Sequence, residues 1–209
     1  MKERIKTFLK DQRQRIIYAS ARKNIKNKDF TIISNNCWGG HVYQDLNLEY
    51  RSPFVGLYLH LPCYLKLLNN LEHYMDQELT FSDTSKYEKA DRKRKENYYP
   101  LGKLDDIELH MLHYSSEDEA YSKWNRRKER MNWDNLFYKI SADNDEYIDL
   151  LEEFDKLKFP NKVCLSPYNL GTVQCNVQIP KFTVRNEMSN YSKYFDFVTW
   201  LNEGKVNIR

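Results

Sequence analysis

Three features of the 209-residue sequence predict an α/β fold, a three-layer sandwich with a mostly parallel sheet and a basic N-terminal helix. Short apolar, β-branched runs alternate with stretches of helical periodicity. The segments between those runs are long enough for the crossovers that parallel strands require, and capping signals mark where helices begin. Hydrophobic residues at 41% supply a core, and 30% charged residues place the chain among folded rather than disordered sequences. Residues 1–28 are read as a basic amphipathic helical extension and residues 29–209 as a single α/β domain.

The elements follow in order. Ile5, Phe8, Leu9 and Ile16 recur at near-helical spacing through the basic opening segment. Residues 30–34 are a buried strand, stopped by Asn35, Asn36 and the pair Gly39-Gly40, with a helix expected over 41–46. Pro62 sits where a helix begins, and Tyr64, Leu65, Leu67, Leu68, Leu71 and Met75 follow at spacings of three and four. Residues 78–81 suggest a strand, 83–98 an exposed, charged insertion, and 107–113 a further strand. Ser116 with Glu119 forms a capping box ahead of a helix over 117–131. A strand at 135–140 precedes a second capping box, Asp143 with Glu146, and a helical stripe of Ile148, Leu151, Phe154 and Leu157. A strand at 162–165 and a short closing helix containing Phe195, Val198, Trp200 and Leu201 complete the reading.

Charge is unevenly placed. Residues 1–28 carry ten Lys or Arg against Glu3 and Asp11, whereas the remainder holds 23 basic and 28 acidic side chains. The basic helix either docks on the acidic body or lies on an anionic membrane surface. Nucleic acid is not an expected partner, because the body is acidic and has no recognisable binding signature. No apolar run approaches the ~20 residues needed to span a bilayer, and Met1 is followed by charges rather than a signal sequence. A cytoplasmic chain is expected, peripheral at the inner membrane face if the helix binds lipid. Cys37, Cys63, Cys164 and Cys175 show no CxxC pair or zinc-ligand spacing and read as reduced thiols.

Ligands of open α/β sheets bind beyond the carboxyl ends of the strands, which directs attention to three segments. In the first, Asn35, Asn36, Cys37, Trp38, Gly39 and Gly40 combine polar groups, a thiol, an aromatic face and close backbone approach. Its exposed amides suit an anion or oxyanion, and Cys37 is a candidate nucleophile, against the alternative of a packed strand-to-helix turn. In the second, His113 is a candidate general base, or only the end of a strand. Trp124 and Arg127, three apart on one helix, are candidates to grip an anionic sugar derivative, or simply a core Trp beside a surface Arg. In the third, Asp143 and Asp145 are a weak alternative for holding a divalent cation, with helix capping the simpler account. No cofactor is identified.

The block Ile32-Ile33-Ser34-Asn35-Asn36-Cys37-Trp38-Gly39-Gly40 resembles a bacterial family of unknown-function domains commonly labelled exopolysaccharide biosynthesis proteins. The likeness extends through 50–57, His113-Tyr114, 124–127, 131–132, 154–164 and 195–202, while the charged stretch 83–95 departs from it. The resemblance implies an α/β fold and a role in cell-surface polysaccharide assembly, without assigning a reaction or a catalytic residue. The resulting expectation is a cytoplasmic transferase acting on a sugar or activated-sugar ligand, by acyl or glycosyl transfer. The alternative is a non-catalytic glycan-binding or scaffold subunit that uses the aromatic surplus to bind sugar.

Overall fold

The computed structural model describes residues 2–208, with the side chains of residues 2–11, 184–185 and 189–190 outside the described set. The chain opens with α1 (Lys2–Asn24) and β1 (Thr31–Ser34), then α2 (Trp38–Leu46), α3 (Leu61–Asn69) and α4 (Leu71–Asp76). Next come β2 (Thr80–Phe81), α5 (Glu88–Glu96), β3 (Leu101–Leu104), β4 (Ile107–His110) and α6 (Glu117–Lys128). The last part contains β5 (Leu136–Ser141), α7 (Ile148–Lys156), β6 (Lys162–Ser166), β7 (Asn176–Gln178), α8 (Val184–Tyr194) and α9 (Phe197–Glu203).

Four strands form the central sheet in the order β1-β5-β6-β7, all parallel, with Thr31 opposite Leu136 and Tyr138 opposite Lys162. Because successive side chains alternate between faces, each strand feeds two cores. Ile33, Tyr138, Ile140 and Cys164 pack toward α3, α6 and α7. Ile32, Phe137, Val163, Leu165 and Val177 pack toward α1, α2, α8 and α9. This is the three-layer sandwich expected from the alternation of elements. Among the described residues, no helix is long and apolar enough to cross a membrane.

Several elements differ from the sequence reading for identifiable reasons. The helix expected from residue 62 is two helices, broken at Asn70, whose backbone (φ −146°, ψ 56°) is not helical. The insertion at 83–98 is not a loop. It contains α5, held by Arg94, which is 8% exposed and whose guanidinium donates to the carbonyls of Ser82, Asp83 and Tyr99. The strand expected at 107–113 ends at His110 and belongs to a separate antiparallel sheet, β2-β3-β4, closed by a tight turn at Asp105 (φ 52°). His113 therefore does not terminate a strand of the parallel sheet. Ser116 caps α6 as expected, its hydroxyl accepting the Glu119 amide. At the other capping box the donor is satisfied by Asn144 instead of Asp143, since the Asn144 side-chain oxygen Oδ1 accepts the Glu146 amide and opens a 3-10 turn ahead of α7.

The C-terminal part of α1 docks through Tyr18 and Ala21, and Arg22 donates to the Asp45 carbonyl. Ile16, part of the expected apolar stripe, is 69% exposed. The stripe's other members, Ile5, Phe8 and Leu9, lie outside the described side chains. All four cysteines are free, and Cys63, Cys164 and Cys175 are buried.

Candidate functional site

The candidate site begins with the turn after β1. Asn35 extends the sheet by one rung through its side chain, which donates to the Ser141 carbonyl and accepts the Ser141 amide, each at 3.0 Å. Asn36 accepts the Trp38 amide at 3.1 Å and so starts α2 three residues earlier than the sequence suggested. The two glycines fall inside that helix because neighbouring atoms leave little room. A Cβ at Gly39 would stand 3.0 Å from Ile32 Cγ2, and one at Gly40 would stand 3.0 Å from Val55 Cγ1.

A second contact brings His113 beside this turn. Gly56 (φ +80°) accepts the His113 amide at 3.1 Å, and its missing side chain leaves space for His113 Cβ and the Tyr114 ring, each 3.3 Å from a hypothetical Cβ. The positive φ and the lack of space both favour glycine there. The outcome is a cavity of about 310 Å³ whose walls include Cys37, Gly40, His41, His113, Lys123 and Arg127, with Gln44, Tyr50 and Tyr114 contributing further polar groups. The volume sits at the lower end of the ~300 to 1,000 Å³ typical of small-molecule sites.

Cys37 is partly buried, and its thiol contacts the Leu57 carbonyl at 3.6 Å. Burial pushes the thiol up to about 11, although the Lys139 charge opposes this. It is not hydrogen-bonded to a histidine. Burial also pushes His41 below the ordinary imidazole value, with Asp45 opposing and His113 reinforcing the effect. Arg127 is 7% exposed, and its Nη1 donates to the Val55 carbonyl at 3.2 Å and the Tyr114 hydroxyl at 2.6 Å. The guanidinium carbon lies 4.8 Å from the Tyr50 ring centroid.

The other residues singled out from the sequence lie behind this wall or away from it. Asn35, Asn36, Trp38 and Gly39 are buried and do not line the cavity. Trp38 packs edge-on against Tyr191 and Trp200, and Trp124 packs edge-on against Phe54 at 5.5 Å. Neither indole offers a free face for a sugar to stack on. Asp143 and Asp145 are exposed and outside the cavity. Among the described residues, no group of three or more His, Cys, Asp or Glu is arranged to hold a metal ion.

Beneath the turn is a charged cluster that the sequence reading did not identify. Lys139 and Glu187 form a fully buried ion pair. Lys139 also donates to Ser141 Oγ at 2.8 Å and Asn36 Oδ1 at 3.1 Å, and its ammonium lies 5.6 Å from the Trp38 ring. Asn36 donates in turn to Glu187 at 2.9 Å. Burial pushes the Lys139 ammonium below its ordinary value, and the Glu187 charge opposes that shift. The sequence signal was a lysine inside the apolar strand 136–140, where a buried amine requires a partner from elsewhere in the chain. His41 and Lys123, also missed, carry no signal until α2 and α6 are placed side by side.

Residues 8–202 match a family described as a domain of unknown function, DUF1919. A Haemophilus influenzae protein described as an uncharacterized protein is 34% identical over 212 residues, covering 96% of this chain and 97% of its own length.

Proposed function

The chain belongs to the DUF1919 family, and we propose that it is a transferase acting on a sugar precursor in cell-surface polysaccharide biosynthesis, with the Cys37–His113–Arg127 cavity as its reaction site. The observation that carries this reading is the convergence, in one cavity, of the turn after β1 with His113 and with two cations of α6. Such a cavity joins an imidazole, which can accept and return a proton, to fixed positive charge, a combination suited to proton transfer beside a developing anion.

Within this reading, acyl transfer directly to a sugar hydroxyl fits better than a Cys37 thioester. The Cys37 thiol is held protonated by burial and has no base hydrogen-bonded to it. His113 takes the proton of the acceptor hydroxyl as its oxygen attacks the acyl carbonyl, and returns that proton to the departing donor group. Metal-assisted glycosyl transfer through Asp143 and Asp145 gains no support, since both carboxylates lie outside the cavity. The glycan-binding alternative relied on the aromatic surplus; Trp38, Trp124 and Trp200 are within the core, and the exposed Trp133, Tyr98 and Tyr121 lie outside the cavity.

The reading places the protein in the cytoplasm, with α1 as the segment that reaches an anionic membrane. Turnover assays with acyl-CoA and nucleotide-sugar donors test the chemistry. Acyl transfer that falls at least about a hundredfold in His113→Gln supports the assignment, in line with the 10²–10⁴ typical of a general base. Unchanged turnover in that variant would remove it.

A further inference from the structure

We infer that the cavity is a binding site for a phosphate monoester, with Arg127 as its anchor and a sugar phosphate as its ligand. This rests on the cavity being the substrate site of the preceding reading and names the chemical group it recognises.

The cavity wall holds uncompensated positive charge. Arg94, Arg127 and Lys139 are the Lys and Arg side chains buried among the described residues. Arg94 has Asp91 at 3.7 Å, and Lys139 has Glu187. Arg127 has no carboxylate within 4.0 Å among the described residues, and no acidic side chain lines the cavity. A buried cation without a counter-charge is costly unless something outside the protein supplies one.

Donor geometry indicates where that counter-charge sits. Guanidinium has five N–H donors, and the two bonds that Arg127 makes to protein both come from Nη1. Nε and Nη2 have no protein acceptor among the described residues, yet they are not sealed-off orphans, so they face accessible space in the cavity. These three remaining N–H groups lie in one plane, the arrangement that binds two oxygens of a phosphate. Tyr50, stacked at 4.8 Å, and Tyr114 restrain that plane before any ligand arrives.

Neighbouring charge favours a dianion. Lys123 and Arg127 are four residues apart on α6, and both lie over the Tyr114 ring, at 5.7 and 5.9 Å. Like charges at that spacing repel. Glu119 pairs with Lys123 and relieves part of the repulsion, but it does not reach Arg127. An oxyanion between the two cations removes the remainder, and His41 and His113 add N–H donors to the same space. About 310 Å³ accommodates one sugar ring with its phosphate.

Calorimetry in phosphate-free buffer tests this with inorganic phosphate, glucose 1-phosphate and glucose as probes. Saturable 1:1 binding of glucose 1-phosphate is expected, at least tenfold tighter than glucose and weakened at least tenfold by Arg127→Lys, which keeps the charge but loses the planar fork. No binding of either phosphate at 10 mM would overturn the proposal, as would equal affinity in a folded Arg127→Lys protein. Should that variant not fold, Lys123→Gln at the partly exposed rim takes its place, and undiminished phosphate affinity there overturns the proposal equally. Phosphate binding without any transfer activity upholds this site and removes the transferase reading. Transfer activity without phosphate binding does the reverse.

Discussion

Replacing Glu187 by Gln leaves the Lys139 ammonium enclosed with only neutral partners, the carbonyl oxygen of Asn36 and the hydroxyl of Ser141. Breaking a buried pair from one side costs about 3–5 kcal/mol. The structure also suggests a ceiling. Instead of remaining charged, Lys139 can release its proton, which from an ordinary value of 10.5 costs about 4.8 kcal/mol at pH 7. A loss of 3–5 kcal/mol is therefore expected, a large share of the ~5–15 kcal/mol that stabilises a typical domain. Guanidinium unfolding followed by circular dichroism measures it. In the double variant Lys139→Met with Glu187→Leu the charge is gone from both sides, and stability is expected to return to within about 2 kcal/mol of the original. A pH series supplies a second check. The fold of Glu187→Gln holds Lys139 neutral while the unfolded chain protonates it, so the unfolded state binds more protons, and the deficit shrinks as pH rises from 7 toward 10.5. A Glu187→Gln penalty under about 1 kcal/mol would refute the reasoning, because the ammonium would then have access to water.

His110 gives a separate acid response. Burial holds it down at about 3, with His60 and Arg94 adding to the effect, and Glu108 Oε2, 3.7 Å away, already accepts from Ser85 Oγ. Only the unfolded chain protonates at the ordinary 6.5, so stability falls as pH drops from 6.5 toward 3, by up to about 1.4 kcal/mol per pH unit from this group. His110→Gln is expected to flatten the slope of unfolding free energy against pH between 6 and 4, and an identical slope in both proteins contradicts the assignment. Cys37 is expected to react slowly with iodoacetamide at pH 7.5 and to accelerate toward pH 11, as followed by mass spectrometry; rapid alkylation at neutral pH would mean the thiol is activated after all. Gly56→Ala is expected to cost about 1–2 kcal/mol through its positive φ and to weaken glucose 1-phosphate binding by displacing His113 and Tyr114, so a neutral effect on both melting and calorimetry counts against the described turn.

Three of the four parallel strands were legible because burial on both faces makes them near-continuous apolar runs, as in 30–34, 136–140 and 162–165, whereas β7, with Val177 alone buried between Asn176 and Gln178, offers no such run. Residues 101–104 escaped notice since they include Gly102 and Lys103. Gly102 is present because a Cβ there would lie 2.9 Å from Leu79 Cδ1, a constraint no local pattern expresses. Helix α5 was hidden for a different reason: only Ala90 and Arg94 are buried along it, so it has no apolar stripe. At the site, Cys37 and His113 could be named from turn chemistry and element ends. Their meeting depends on the Gly56 contact and on the packing of α6, which are non-local. Trp38 and Trp124 pack in the core, the alternative that the sequence left open, because sequence does not distinguish an indole facing a cavity from one filling the core. The partner of Lys139 lies on a distant helix whose only local signal is its own cap.

The pairing of Thr31 with Leu136 means that the first strand to be made has no neighbour until about a hundred further residues have been synthesised. At ~5–20 residues per second, β1 waits roughly 5 to 20 s on the ribosome with its edge unsatisfied. Helices α2 to α4 and the small antiparallel sheet emerge during that interval and can gather around one another first. The central sheet closes late, and any factor that shields a nascent strand edge would act in that window.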